Sequence, residues 1–126
     1  MSSTENVDSD LSADGTLLMV EDDPDMLETF RLWVSDSSFT LRTAKTGREA
    51  VERFSEDVDA ILTDRRLPDF SAAELLDQID EDTVPVAVVS AHRPDQYLDT
   101  DDVTLYLTKP VSETEICDAI ETLLAD

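Results

Sequence analysis

Lysine is nearly missing from this sequence. Two Lys and seven Arg stand against 31 Asp and Glu, giving a net charge of −22 over 126 residues. So little positive charge disfavours nucleic-acid backbones and anionic membranes as direct partners. Cysteine is down to one residue, Cys117, which excludes an internal disulfide and fits a reducing compartment. Its place in a helical pattern makes it a small buried hydrophobe rather than a reactive thiol. No run is apolar enough to cross a membrane. The chain opens without a basic, apolar leader, so a cytoplasmic location is expected.

The remainder reads as one globular domain. Hydrophobic residues make up 40% of the chain, and its length suffices for a real core. An acid excess with so few lysines reads as adaptation to high salt. At molar ionic strength the screening length is about 3 Å, which mutes self-repulsion. A halophilic source is therefore expected.

Residues 1–15 are rich in Ser, Asp and Glu and lack apolar periodicity, so a flexible acidic tail is expected, with a docking arm as its functional alternative. From Thr16 onward, to residue 126, strand-like and helix-like patterns alternate. Leu17-Leu18-Met19-Val20 is a buried strand. Asp23-Pro24 opens a helix, with Asp23 as N-cap and Pro24 at the first helical position. Met26, Leu27, Phe30, Trp33 and Val34 follow at helical spacing, which places Trp33 in the core. Residues 39–43 alternate apolar and polar, as suits a half-exposed edge strand. Three further helices carry a capping-box pattern: Thr46 with Glu49, Ser71 with Glu74, and Ser112 with Glu115. Apolar strands lie between them at 58–63, 84–89 and 104–108. The stretch His92–Asp102 allows one or two helical turns without a convincing apolar stripe.

This alternation predicts an α/β fold, a doubly wound five-stranded parallel sheet. The polar second strand belongs at an edge, and the apolar strands 1, 3 and 4 in the centre. That is the 2-1-3-4-5 order, with its switch point between strands 1 and 3. Ligands bind such sheets at the carboxyl ends of the strands. Strand 1 runs into Glu21-Asp22-Asp23, strand 3 into Asp64, strand 4 into Ser90, and strand 5 into Lys109-Pro110.

Several carboxylates in one crevice repel one another, and without a cation some stay partly protonated. Mg²⁺ relieves this with hard oxygen ligands. Lys109 supplies a point charge and Ser90 a hydroxyl. Asp64 is then placed to act as a nucleophile toward phosphorus, forming an acyl phosphate. Singly, each signal is weak. Acidic pairs at strand ends are often only helix caps, and a Lys before Pro means little. Specificity lies in the combination, in chain order, each residue on its own strand end.

In that combination, residues 16–125 resemble the response-regulator receiver domain. The resemblance implies the following roles. Asp64 is the phosphoacceptor. Asp22 is a direct Mg²⁺ ligand, with Asp64 and the backbone carbonyl of Arg66, while Glu21 acts through water. Asp23 is a helix cap. Pro68, Glu74 and Leu75 fall at the family's offsets after Asp64. Ser90, of Ser90-Ala91, and Lys109 contact the phosphoryl group. Lys109-Pro110 matches a pair joined by a cis bond, the one bond type where cis costs little. Tyr106 matches the aromatic residue that switches with Ser90. The implied partner is a sensor histidine kinase or a phosphotransfer protein, with an unknown downstream target. The implied role is regulatory, not that of an enzyme acting on other substrates.

The sequence departs from the family pattern in places. Ala72 stands where Gly is usual, so a different path is expected for the loop after Asp64. The intervals from Asp64 to Ser90 and from Ser90 to Lys109 are short, so shortened third and fourth helices are expected. The second shortening bears on the usual output face of the family. Asp64-Arg65-Arg66-Leu67-Pro68 looks like haloarchaeal receivers. Arg65 and Arg66 either balance an acidic surface or, at Arg66, alter access of water to an acyl phosphate. His92, in a loop beside acids, is a poor substitute for the exposed helical histidine of a kinase. Two other functions remain open. One is a pseudo-receiver that keeps the fold without phosphorylation. The other is a metal-dependent phosphohydrolase, against which Arg66 stands where a second catalytic acid belongs.

Overall fold

Leu17 to Val20 are completely buried and form the middle of a five-stranded parallel sheet in the order β2-β1-β3-β4-β5. The computed structural model describes residues 15–35, 38–79, 84–90 and 104–124. Within them run β1 (Thr16–Val20), α1 (Pro24–Trp33), β2 (Thr40–Ala44), α2 (Gly47–Arg53), β3 (Ala60–Asp64), α3 (Ala72–Ile79), β4 (Val86–Ser90), β5 (Leu105–Thr108) and α4 (Glu113–Leu124). The acidic tail, the 92–102 segment with His92, and Ala91 lie outside the described residues.

The order follows from strand composition. Strands covered by helices on both faces must be apolar on both. Every residue of β4 is buried, and all of β3 before Asp64. The alternating β2 takes one edge, exposed at Thr40 and buried only at Ala44. Leu17, Met19, Leu62 and Val89 face one side of the sheet and pack with Phe30 of α1 and Ile116, Ile120 and Leu123 of α4. Leu18, Val20, Ile61 and Val88 face the other side and pack with Ala50 of α2 and Leu75 of α3. Trp33 reaches the first of these clusters from its rim, half-buried, with its ring 5.6 Å from that of Phe30. Cys117 is likewise half-buried rather than fully enclosed. Its thiol pKa is raised by burial first and then by the neighbouring acids Glu113, Asp118 and Glu121.

The helix starts obey local chemistry. Asp23 accepts N–H bonds from Asp25 and Met26 at the N-terminus of α1, a cap that contributes about 1 kcal/mol. Ser71 and Glu74 form a reciprocal capping box, as do Ser112 and Glu115. At α2, Thr46 accepts from the Glu49 N–H, but the Glu49 carboxylate accepts from Lys45, one residue before the cap. Among the described residues α3 covers eight positions, ending at Ile79.

Two strands end later than their apolar runs suggest. Asp64 pairs in register with Val89, and Ser90 with Thr108. Both polar residues are thus the last members of the ladder rather than the first residues of loops. Val58 is buried before β3 starts, so hydrophobicity there reports packing, not strand.

Candidate functional site

Three backbone hydrogen bonds extend the sheet beyond its strand ends. The N–H of Glu21 donates to Ala44 O (3.0 Å), that of Arg65 to Val89 O (2.9 Å), and that of Lys109 to Ser90 O (2.7 Å). They tie the residues carrying the polar chemistry into the sheet, so the site rests on rigid backbone. The Lys109–Pro110 bond is cis.

The side chains of Glu21, Asp22 and Asp64 converge there. One carboxylate oxygen from each lies within 4.8 Å of the others. Lys109 Nζ stands 3.6 Å from Glu21 Oε1 and 3.6 Å from Asp64 Oδ1. Asp64 Oδ1 also accepts the N–H of Arg65 at 3.0 Å, and Glu21 Oε2 accepts the N–H of Asp23 at 3.1 Å. Asp22 is exposed and opens the cluster to solvent, whereas Glu21 is 2% exposed.

Burial decides the protonation of this group. The Glu21 carboxyl is pushed from 4.5 up to about 7, by desolvation first; Asp64 and Asp22 add repulsion, opposed by the Asp23 N–H and by Lys109. The Asp64 carboxyl is raised as well, again by burial before the repulsion of Asp22, with Lys109 and the Arg65 N–H holding it down. Mutual repulsion, the expected cause, is thus the smaller one. Desolvation dominates because these acids stand on central, covered strands.

This donor set suits a hard divalent cation. Its atoms are carboxylate oxygens, two of the acids are costly to ionise without a counter-charge, and the third faces water. Mg²⁺ prefers such oxygen ligands and keeps part of its hydration.

Ser90 is 3% exposed at the end of β4. Tyr106 is half-buried one register step back, opposite Val88, and packs on the α2–α3 side of the sheet. Since side chains alternate along a strand, Ser90 and Val88 project to that same side. Arg66 forms an isolated antiparallel bridge with Ser71, and its side chain is exposed. The structure thus brings Glu21, Asp22, Asp64 and Lys109 together and sets Ser90 and Arg66 on adjoining segments.

One neighbour of the site is not apparent from the motif pattern. Asp69 reaches from the β3–α3 loop to the start of α2, where Oδ1 accepts the N–H of Gly47 (2.8 Å) and Oδ2 that of Arg48 (3.0 Å). The signal available in the sequence was Pro68-Asp69, a turn pair whose Asp side chain seeks backbone N–H groups.

Among known proteins, the family model for the response regulator receiver domain matches residues 17–121. The chain belongs to that family. This receiver is 36% identical over 115 residues to a Haloferax volcanii protein described as a transcriptional regulator, covering 90% of this chain and 20% of that protein. It is 33% identical over 116 residues to the response regulator protein PilR of Pseudomonas aeruginosa, covering 85% and 25%. The receiver thus spans about a fifth to a quarter of the length of these relatives. In fold it is similar to the non-phosphorylated HemR receiver domain of Leptospira biflexa, with TM-score 0.80 and 24% identity over 89% of this chain and 95% of that one. It is also similar to a chain in the CheX-CheY-BeF3-Mg²⁺ complex of Borrelia burgdorferi, with TM-score 0.75 and 18% identity over 89% and 90%.

Proposed function

We propose that this receiver accepts a phosphoryl group on Asp64 from the phosphohistidine of a sensor kinase or phosphotransfer protein. The observation that carries the reading is Lys109 Nζ 3.6 Å from both Glu21 and Asp64, beside a cluster of three carboxylates. An Asp64 oxygen attacks phosphorus in line, the O–P bond forms, and the N–P bond to the donor imidazole breaks. Lys109 offsets the charge on the phosphoryl oxygens, and the Ser90 hydroxyl donates to one of them. Asp22, Asp64 and the Arg66 carbonyl would hold Mg²⁺, with Glu21 acting through water. When bound, the ion neutralises the acidic cluster and the phosphoryl oxygens. Ser90 engaged by phosphate then draws Tyr106 toward it, shifting a pre-existing balance of two conformations.

The chain's only turnover under this reading is its own phosphorylation and dephosphorylation. Charge and composition favour a halophilic source and a cytoplasmic setting. No helix among the described residues is long and apolar enough to cross a membrane. At a net charge of −22, this domain itself is a poor direct partner for nucleic acid.

Incubation with Mg²⁺ and acetyl phosphate in molar KCl, followed by intact-mass analysis, tests the reading. One phosphoryl adduct per chain, slowly lost, is the expected result. No adduct at any salt concentration would favour a pseudo-receiver, and sustained turnover of phosphomonoesters a hydrolase.

A further inference from the structure

The loop after Asp64 is a closed hairpin. Arg65 O accepts the N–H of Ala72 and Phe70 O accepts the N–H of Leu67, both at 2.8 Å, and Arg66 stands opposite Ser71 as an antiparallel pair. These two bonds flank the Arg66–Ser71 pair, which makes it a non-hydrogen-bonded pair. In such a pair the N–H and C=O groups point away from the partner strand. The Arg66 carbonyl is therefore not consumed by the hairpin, and its direction depends on how the hairpin is held.

The hairpin is held at its tip. Asp69 sits in the Leu67–Phe70 turn and takes the first two N–H groups of α2, Gly47 at 2.8 Å and Arg48 at 3.0 Å. Phe70, next to it, lies on Gly47 so closely that a Cβ there would overlap the ring. A short helix thus serves as an abutment for a loop that starts at Asp64. The opposite end of the hairpin is anchored by Arg65 N to Val89 O and by Ala72, buried at the start of α3. Without the tip contacts, the hairpin can pivot about that end and carry Arg66 with it.

We infer that Asp69, seated with Phe70 against Gly47, is a positioning residue for the Asp64 site. It holds the hairpin so that the Arg66 carbonyl completes the oxygen donor set. The inference rests on the proposed reading of Asp64 and its Mg²⁺ ligands. It assigns a role to residues that touch neither the phosphoryl group nor the ion. The Ala72 substitution fits this picture: the hairpin is fixed from its tip, so a helix-forming residue suffices at its base.

The test is Mg²⁺ affinity by calorimetry in molar KCl, for the wild-type chain, Asp69→Ala, Asp69→Asn and Gly47→Ala, each checked for its fold by circular dichroism and thermal unfolding. Supporting contacts of a metal ligand set are typically worth about 10- to 100-fold in affinity. Asp69→Ala is expected to raise the Mg²⁺ Kd about tenfold in chains that remain folded. Asp69→Asn keeps one acceptor oxygen and is expected to recover part of that loss. Gly47→Ala should weaken Mg²⁺ binding like Asp69→Ala, because its Cβ would displace the Phe70 ring and the hairpin tip with it. Lower unfolding temperatures with an unchanged Kd in all variants would overturn the inference and leave the proposed function standing. Wild-type protein that binds no Mg²⁺ would overturn both.

Discussion

Lys109 Nζ lies 3.6 Å from Asp64 Oδ1, although 45 positions separate them in sequence. The sheet alone makes them neighbours. Asp64 pairs with Val89, and the next residue, Ser90, accepts the Lys109 N–H. Because the lysine acts on charge that grows at the phosphoryl oxygens, Lys109→Ala should slow adduct formation on the order of 10²-fold, the usual cost of one lost electrostatic donor. The rate of adduct formation from acetyl phosphate measures this. An unchanged rate would remove Lys109 from the reaction.

Glu21 makes the site sensitive to pH near neutrality. Its carboxyl is raised from 4.5 to about 7 by burial. Between these values the folded protein keeps a proton that the unfolded chain releases. The contribution of Glu21 to stability therefore falls as pH rises through that window. Mg²⁺ binding requires the carboxylate, so affinity is expected to rise over the same interval and level off above about 7. Calorimetric titrations at several pH values check this. The Glu21→Gln variant should show a flatter profile, and an identical profile would contradict the assignment.

Arg66 is exposed on the hairpin that begins at Asp64. If its guanidinium limits approach of water to an acyl phosphate, Arg66→Ala speeds loss of the phosphoryl group within one order of magnitude, about 1 kcal/mol of barrier. Decay of the adduct followed by mass spectrometry reads this directly. An unchanged half-life would leave Arg66 as a local balance to acidic surface.

Stability should depend strongly on salt. With a net charge of −22, the folded chain repels itself at low ionic strength, and screening at molar KCl shortens that repulsion to about 3 Å. The unfolding temperature is expected to climb steadily from 0.1 M toward molar KCl, about tenfold in concentration. A temperature independent of KCl would count against a halophilic source.

Most of the fold was legible because its strands are continuous apolar runs and its helices carry explicit caps. Asp23, Ser71 with Glu74, and Ser112 with Glu115 all act as their spacing suggests. The strand order followed from the polarity of β2 at one edge and the apolar runs of β1, β3 and β4 in the centre. Strand ends were less legible, because Asp64 and Ser90 continue the ladder despite polar side chains. Within the site, the convergence of Glu21, Asp22, Asp64 and Lys109 could be placed from topology. The weight of burial over repulsion at Glu21 could not, since desolvation depends on how completely β1 is covered. The Asp69 contact with α2 was hidden for a different reason. Pro68-Asp69 marks a turn, but the N–H groups its carboxylate takes lie 22 and 21 positions away, and such backbone donors leave no mark on the sequence.

The most direct measurement is the chemical identity of residue 64 after phosphorylation. Chain treated with Mg²⁺ and acetyl phosphate is reduced with borohydride, which converts an aspartyl phosphate to homoserine, and is then mapped by peptide mass spectrometry. Homoserine at position 64, and its absence in Asp64→Asn, is the expected result. Homoserine at another acid, or none in a folded chain that binds Mg²⁺, would contradict the assignment of Asp64 as phosphoacceptor.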